Sequence, residues 1–376
     1  MKYQNGLKNF RKVKHPRIIS LFCGCGGLDL GFYLEGYRTV WANDINEWAV
    51  KSYNNYFENA ANHEDINVID PYSDSTIPSA DIVLGGFPCQ DFSVIWKRPG
   101  LNGERGNLYK HFLRFVDAKK PLAFVAENVK GLLSANNRKA ISQIISDFEK
   151  ISPGYMIKVQ LYKFAEYGVP QFRERVIIVG IRMDTGFYFE HPQPTHGPGK
   201  KYRYVTAGEA LKDVKKVPYN NEQMKIMPRT RELLKLIHEG GNFTDIPKDN
   251  PLYVKGMISH VYRRIHRKEP AKTIIAAGGG GTWGYHYPEP RALTNRERAR
   301  LQSFPDDFVF SGSFGEIRRQ IGNAVPPQGT RSLARNLLRL FHKEYKPIDL
   351  KNINVKYKKL SIKKRLDIDK NGGFLL

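Results

Sequence analysis

Three stretches of this sequence carry side chains that could do chemistry together. The first is 85–93 (GGFPCQDFS), in which Cys89 stands behind Pro88 and ahead of Gln90, Asp91 and Ser93. A lone cysteine most often ends as a buried apolar filler, but a proline before it and polar residues after it describe an exposed turn. In such a turn, nearby positive charge and helix amides favour the thiolate, which is a nucleophile. A zinc deaminase also carries a Pro-Cys pair, yet it needs a further cysteine three positions on, and Phe92 stands there. The second stretch is Glu127-Asn128-Val129, where an acid closes the apolar run 123–126. An acid there is costly unless it is paired or working, the plainer readings being a surface acid or a helix cap by Asn128. The third is 171–175 (QFRER), whose alternation puts Gln171, Arg173 and Arg175 on one face. By itself, that face also reads as a surface salt-bridge ladder.

A fourth stretch is suited to holding a ligand. Phe22, Gly24, Gly26 and Gly27 in 22–27 (FCGCGG) directly follow an apolar run. Glycines let a ligand approach the backbone, and the helix that follows offers its first amides. A tight strand-to-helix turn explains the same residues without any ligand. The spacing is not G-x-G-x-x-G, because Asp29 stands three residues after Gly26, and this disfavours a dinucleotide. Asp44 lies about twenty residues beyond Gly24, where a carboxylate can bind both hydroxyls of a ribose. The pair points to an adenosine-containing cofactor.

The elements that must position these residues alternate. Apolar runs at 17–22, 39–42, 81–84, 123–126, 157–161 and 176–181 read as strands, and 28–34, 48–56, 108–118 and 137–150 as helices. That rhythm predicts an α/β fold with a predominantly parallel sheet. From 185 to 290 prolines, glycines and isolated aromatics replace it, and we expect a second, smaller and irregular domain there. A hinge at 291–304 and a helix at 333–341 lead back to the first domain. Basic extensions at 1–16 and 346–376 flank the whole. The chain has 376 residues, of which 60 are Lys or Arg and 37 Asp or Glu, a formal charge of +23. Solubility needs far less, so an acidic partner is implied, nucleic acid before membrane. Three cysteines argue against a disulfide framework, and no quartet has zinc spacing, so no metal is expected. Without a signal core or an apolar run of about 20 residues, we expect a soluble cytoplasmic protein.

Together the motifs resemble the cytosine-5 DNA methyltransferase family of the bacterial restriction-modification type. The matching segments are 21–32 (LFCGCGGLDLGF), 85–93, 127–129, 171–175, 291–308 (RALTNRERARLQSFPDDF) and 318–327 (RRQIGNAVPP), in the family's order. The resemblance implies a Rossmann-like class I methyltransferase domain with a small target-recognition domain, and duplex DNA lying between them. It implies S-adenosylmethionine as cofactor, leaving as S-adenosylhomocysteine. Phe22, Gly24, Gly26, Gly27, Leu28 and Pro88 would contact it. Asp44 and Ile45 would lie at its ribose, Asp65 and Ile66 at its adenine, with Asn323 and Ala324 closing the pocket. Cys89 would be the nucleophile, Glu127 its acid partner and Arg175 the contact to the cytosine oxygen, with Arg173 in the same motif. Gln90, Ser93, Arg105, Gln171, Thr273 and Gly279 would meet DNA, and Arg263, Arg264 and Lys272 are further candidates. The glycine-punctuated segment 91–107 reads as a loop that closes over DNA.

Asp44 stands where many members have Glu, and Cys23 and Cys25 where small residues are common. Two other readings remain: an RNA cytosine-5 methyltransferase, and a catalytically inactive DNA-binding relative. The length of 185–290 favours the DNA branch, and the presence of both Cys89 and Glu127 weighs against an inactive relative. We expect a monomer, with a cognate restriction endonuclease sharing its site but no direct contact implied.

Overall fold

A strand covered on both faces has to be apolar throughout, and the central strands are. In β1 (Arg17–Leu21, RIISL) every residue after the first is buried, and β4 (Ile82–Gly85, IVLG) is buried along its whole length. In the computed structural model, which describes residues 15–58, 60–87, 108–253, 255–256, 261–276, 284–342, 348–349, 351 and 353, these two lie side by side. With β2 (Arg38–Asp44), β3 (Ala61–His63), β5 (Ala123–Val129), β6 (Tyr155–Lys163) and β8 (Glu174–Arg182) they form a seven-stranded sheet of order β3-β2-β1-β4-β5-β8-β6. Only β8 runs against its neighbours. The short strands β7 (Gln171–Phe172) and β9 (Ala271–Lys272) pair with each other outside it. The order reverses between β1 and β4, which opens a crevice at the carboxyl ends of the strands. The expected α/β class holds.

Helices cover both faces. On one, α3 (Leu108–Lys119) and α4 (Lys139–Lys150) bury Phe112, Phe115, Ile141, Ile144 and Phe148 against Val83 and Phe124. The spacing of Ile141, Ile144, Ile145 and Phe148 is that of one helix face. The helix begins at Lys139 rather than 137, because Asn137 and Arg138 adopt φ of 52° and 69°. α1 (Gly27–Tyr33) lies on the other face and α2 (Glu47–Asn54) beside β2. Against α1 packs the far end of the chain, α9 (Pro327–Leu338). Tyr37 donates from its hydroxyl to the Ala334 carbonyl at 2.9 Å, and Glu35 accepts from Arg331 at 2.9 Å and Arg335 at 2.7 Å. The expected C-terminal helix thus starts earlier than 333.

Between 185 and 290 the regular elements are few: α5 (Ala207–Ala210), α6 (Pro228–Lys235), β9 and some single turns. Phe187 and Phe189 join the core of the sheet, whereas Ala207, Leu211 and Val214 pack with Leu293 and Ala299. Leu233, Leu234, Ile237, Ile246, Tyr285 and Ala292 form a small core of their own. Arg264 ties that core together by donating to the carbonyls of Leu234, Ile237, His286 and Tyr287. It is buried and committed, which corrects its candidacy for reading DNA. The segment expected as a hinge is an interior one. Arg291 grips Glu297 with both terminal nitrogens at 2.9 and 2.7 Å, and α7 (Asn295–Leu301) is buried almost throughout. α8 (Phe314–Asn323) follows, a helix the sequence reading did not foresee. Among the described residues no helix is long and apolar enough to cross a membrane.

Within α1, Asp29 is fully enclosed. It accepts from the Tyr53 hydroxyl at 2.8 Å, the Ser20 hydroxyl at 3.0 Å and the Thr39 hydroxyl at 3.5 Å. Burial pushes its carboxyl up to about 6, and those hydrogen bonds limit the rise. The folded state therefore holds this proton more tightly than the unfolded chain. The stability it contributes is complete below the unfolded value and is lost as pH rises through about 6. Denaturant unfolding of wild type and Asp29→Asn should show the variant gaining up to about 3 kcal/mol relative to wild type between roughly pH 4 and pH 7. A difference independent of pH would mean that Asp29 does not titrate in that window.

Candidate active site at the carboxyl ends of the strands

The chain leaves β1 through two left-handed residues, Phe22 at φ 52° and Gly24 at φ 54°. This sharp turn aims the Gly24 N–H at Asp44 Oδ2, 2.8 Å away, while the Asn46 N–H reaches Oδ1 at 2.8 Å. Burial pushes the Asp44 carboxyl up, and those two N–H groups hold it down. Each oxygen retains lone-pair capacity for a hydroxyl. A Cβ built on Gly24 would meet nothing within 4 Å, so open space lies before the loop. Next to Asp44 in sequence, Ile45 is 67% exposed, an apolar side chain that water has no reason to favour. At Gly27 a Cβ would overlap the Val325 carbonyl and lie 2.9 Å from Ala324, so 324–325 forms a wall of the same loop. A glycine cradle, a carboxylate with spare acceptors and exposed apolar surface together fit an adenosine-type ligand. Leu28 and Ile66, both expected at the cofactor, pack into the core with little of either exposed. Asp65 and Asn323 are exposed.

On β5, Glu127 does not end the strand, as the sequence suggests, but lies inside it, opposite Ile177. Arg175 is opposite Val129, one diagonal step away, and its Nε donates to Glu127 Oε1 at 2.8 Å. The two side chains are 12% and 17% exposed, an ion pair almost out of water. Burial pushes the Glu127 carboxyl up, with Arg175 and then Arg173 pulling it down. The other oxygen faces the exit of β4, where a Cβ on Gly86 would lie 3.0 Å from Oε2. Asn128, buried, donates from Nδ2 to the Phe87 carbonyl at 3.0 Å and so holds the backbone just before residue 88. The sequence reading gave Asn128 no role beyond the alternative of a helix cap and missed this bond. Its signal was a second polar residue at the end of an apolar strand.

Cys89 itself lies outside the described residues, as do Pro88, Gln90, Ser93, Arg105 and Gly279. The other two cysteines are described and unsuited to nucleophilic work. Cys23 and Cys25 are buried, and burial, with the charges of Asp44 and Asp29, pushes both thiols up and away from the thiolate. Among the described residues no group of three His, Cys, Asp or Glu is placed to hold a metal ion.

Beside the Glu127–Arg175 pair is a cleft of about 430 Å³ lined by Lys130, Lys163, Phe172, Arg175 and Thr273. Thr273 is exposed and donates its hydroxyl to the Phe172 carbonyl at 2.7 Å, and the Lys272 ammonium stands 5.2 Å from the Phe172 ring. Two members of 171–175, Gln171 and Arg173, are buried instead. Gln171 is fully buried and bonded to Leu301, Gln302 and Ile274, which corrects its assignment as a DNA contact. Arg173 is buried too, donating to the carbonyls of Ile274 at 3.0 Å and Gly322 at 2.9 Å. Burial, and then Arg175, bring its guanidinium down to about 9. It is a tether between segments, not an open catalytic group.

The family model described as C-5 cytosine-specific DNA methylase matches residues 16–339. The type II methyltransferase M.NgoFVII of Neisseria gonorrhoeae is 63% identical over 360 residues, covering 95% of this chain and 96% of its own. M.BbvI of Brevibacillus brevis, also a type II methyltransferase, is 42% identical over 88% of this chain and 93% of its own. The DNA (cytosine-5-)-methyltransferase M.ApeKI of Aeropyrum pernix is 33% identical, covering 85% and 97%. A crystal structure of a prophage-encoded DNA modification methyltransferase from E. coli matches with a TM-score of 0.67 at 23% identity, over 86% of this chain and 99% of that one, a likeness of fold. With relatives aligned nearly end to end, one conclusion remains: the chain belongs to the C-5 cytosine-specific DNA methylase family and is a cytosine-5 methyltransferase.

Proposed function

We propose that the chain moves a methyl group from S-adenosylmethionine to carbon 5 of a cytosine turned out of duplex DNA, through a transient bond between Cys89 and carbon 6. The observation that carries this reading is the enclosed Glu127–Arg175 pair, set against Gly86 where β4 leads in sequence to Pro88 and Cys89. Carbon 5 of cytosine is a poor nucleophile. Addition of the Cys89 thiolate to carbon 6 makes carbon 5 enamine-like and drives electrons toward the ring nitrogen and carbonyl oxygen. Glu127, in its protonated form, donates to that nitrogen, and Arg175 stabilises the oxygen. Burial pushes the Glu127 carboxyl toward the protonated form that donation requires, and its bond to Arg175 fixes the direction of donation.

When bound, S-adenosylmethionine supplies the electrophilic methyl group. The residues that would hold it are the Phe22, Gly24, Gly26 and Gly27 backbone, Asp44 with Ile45 at the ribose, and Asp65 at the adenine. The backbones of Leu28, Ile66, Asn323 and Ala324 complete the set. Once carbon 5 carries the methyl group, its proton passes to water, the carbon–sulfur bond breaks with its electron pair going to sulfur, and 5-methylcytosine and the Cys89 thiolate are released. A base inside a duplex cannot reach such a site, and turning it out costs a few kcal/mol. The basic cleft with Lys130, Lys163 and Thr273 supports a DNA path past the pair. Residues 185–290 would read the sequence around the cytosine, while 17–184 and 291–345 carry out the chemistry. The basic ends would add phosphate contacts. The setting this suits is the cytoplasm of a bacterium with a cognate restriction endonuclease.

Duplex DNA containing 5-fluorocytosine at the target should trap the wild type in a denaturation-resistant adduct, because fluorine blocks the last elimination. Mass spectrometry should find the adduct on Cys89, and Cys89→Ser should form none. Turnover by that variant at the wild-type rate would rule out the covalent route.

Glu127→Gln should lower kcat by roughly 100-fold or more, the scale of general acid–base effects. The KM for S-adenosylmethionine should barely move, since the residue acts on the ring and not on the cofactor. Steady-state kinetics would count against the assignment if only that KM changed.

A further inference from the structure

A run of buried polar side chains joins the wall of the glycine loop to the floor of the basic cleft. Gln302, fully enclosed, donates through Nε2 to the carbonyls of Ile321 at 2.6 Å and Ala324 at 3.2 Å. Its Oε1 accepts from Gln171 Nε2 at 2.9 Å, and Gln171 Oε1 accepts the Ile274 N–H at 2.8 Å. Arg173 closes the circuit from the other side, binding the Ile274 carbonyl at 3.0 Å and the Gly322 carbonyl at 2.9 Å. Ile274 is therefore held by both its N–H and its carbonyl. The two backbones also touch directly, since a Cβ on Gly322 would overlap the Ala276 amide.

Each end of this run meets a different site. Ala324 and Val325 press on Gly27 in the glycine loop, and Thr273, the residue before Ile274, lines the cleft beside Arg175. In an enclosed network with its amides committed, leaving a group unpaired costs more than moving its partner with it. A shift of 322–325 is then passed to 273–276 instead of being absorbed between them. The cations and amides of 171–175 look, in sequence, like contacts for DNA, but the structure uses two of them as struts.

We propose that Gln302, Gln171 and Arg173 are positioning residues that couple the two ligand sites. A cofactor settling against 322–325 sets the backbone at 273–276 for DNA, so cofactor and duplex bind cooperatively. This rests on the function proposed above. Coupling of this kind is reciprocal, so each ligand must tighten the other by the same factor.

The test is fluorescence anisotropy with a labelled duplex carrying the site that the chain methylates, with and without saturating S-adenosylhomocysteine. The proteins are wild type, Gln302→Met and, in case that change prevents folding, Gln171→Met. In wild type the cofactor product should tighten DNA binding about tenfold, within the usual range of allosteric coupling. In the variants that ratio should fall below about twofold, while calorimetry shows S-adenosylhomocysteine binding alone within about threefold of wild type. A merely structural role would weaken both affinities and leave the ratio alone, so a wild-type ratio in a folded variant overturns the proposal. A wild-type chain that binds both ligands without mutual effect overturns it equally. One that binds neither overturns the function on which it rests.

Discussion

The Glu127–Arg175 ion pair depends on the one strand that runs the wrong way. Active groups of a parallel sheet gather at the carboxyl ends of its strands, and Glu127 comes there on β5 in the ordinary manner. Arg175 stands at the start of β8, and in a parallel strand it would lie at the opposite edge of the molecule. Because β8 is antiparallel to β5, its first residues meet the last residues of β5, and the two charges fall one diagonal step apart. The pair is nearly enclosed, so losing either partner would strand the other's charge away from water. The order of the sheet, the reversal of β8 and the tight exit of β4 past Gly86 are all consistent with this single requirement.

The same logic explains how cation-rich this interior is. Arg173, Arg264, Arg291, Arg296 and Arg298 are all buried, and most of their partners are backbone carbonyls. Segments with little helix or sheet leave many carbonyls unpaired, and a guanidinium with five donors can satisfy several at once. Arg264 does so for the small core around Leu234, and Arg296 for the turns at Tyr219, Pro305 and Phe308. The formal charge of +23 therefore overstates what faces a polyanion, since several of those cations serve the fold.

How far the sequence could be read follows from what its signals measure. Apolar runs and glycine spacing located six strands of the sheet, though not the short β3, together with the turn at Gly24 and the acids Asp44 and Glu127, because these features are local. Burial of polar side chains is not local. Gln171 and Arg264 have the composition of surface contacts, and only their distant partners decide otherwise, Ile274 and Gln302 for Gln171 and Leu234, His286 and Tyr287 for Arg264. Leu28 and Ile66 stand at motif positions, yet periodicity could not say which side of them the core would take. Glu127 was located correctly while β5 was ended too soon, since the polar Asn128 broke the apolar run without breaking the strand.

The claim on which everything else rests is that this chain methylates carbon 5 of cytosine in duplex DNA within a defined sequence. Bisulfite sequencing of genomic DNA and tRNA from a methylation-free bacterial host expressing the chain tests it most directly. The account predicts protected cytosines in the DNA, confined to one recurrent sequence context and absent from the host alone. Protection found only in tRNA, or none in either nucleic acid from cells that contain the folded protein, would contradict it.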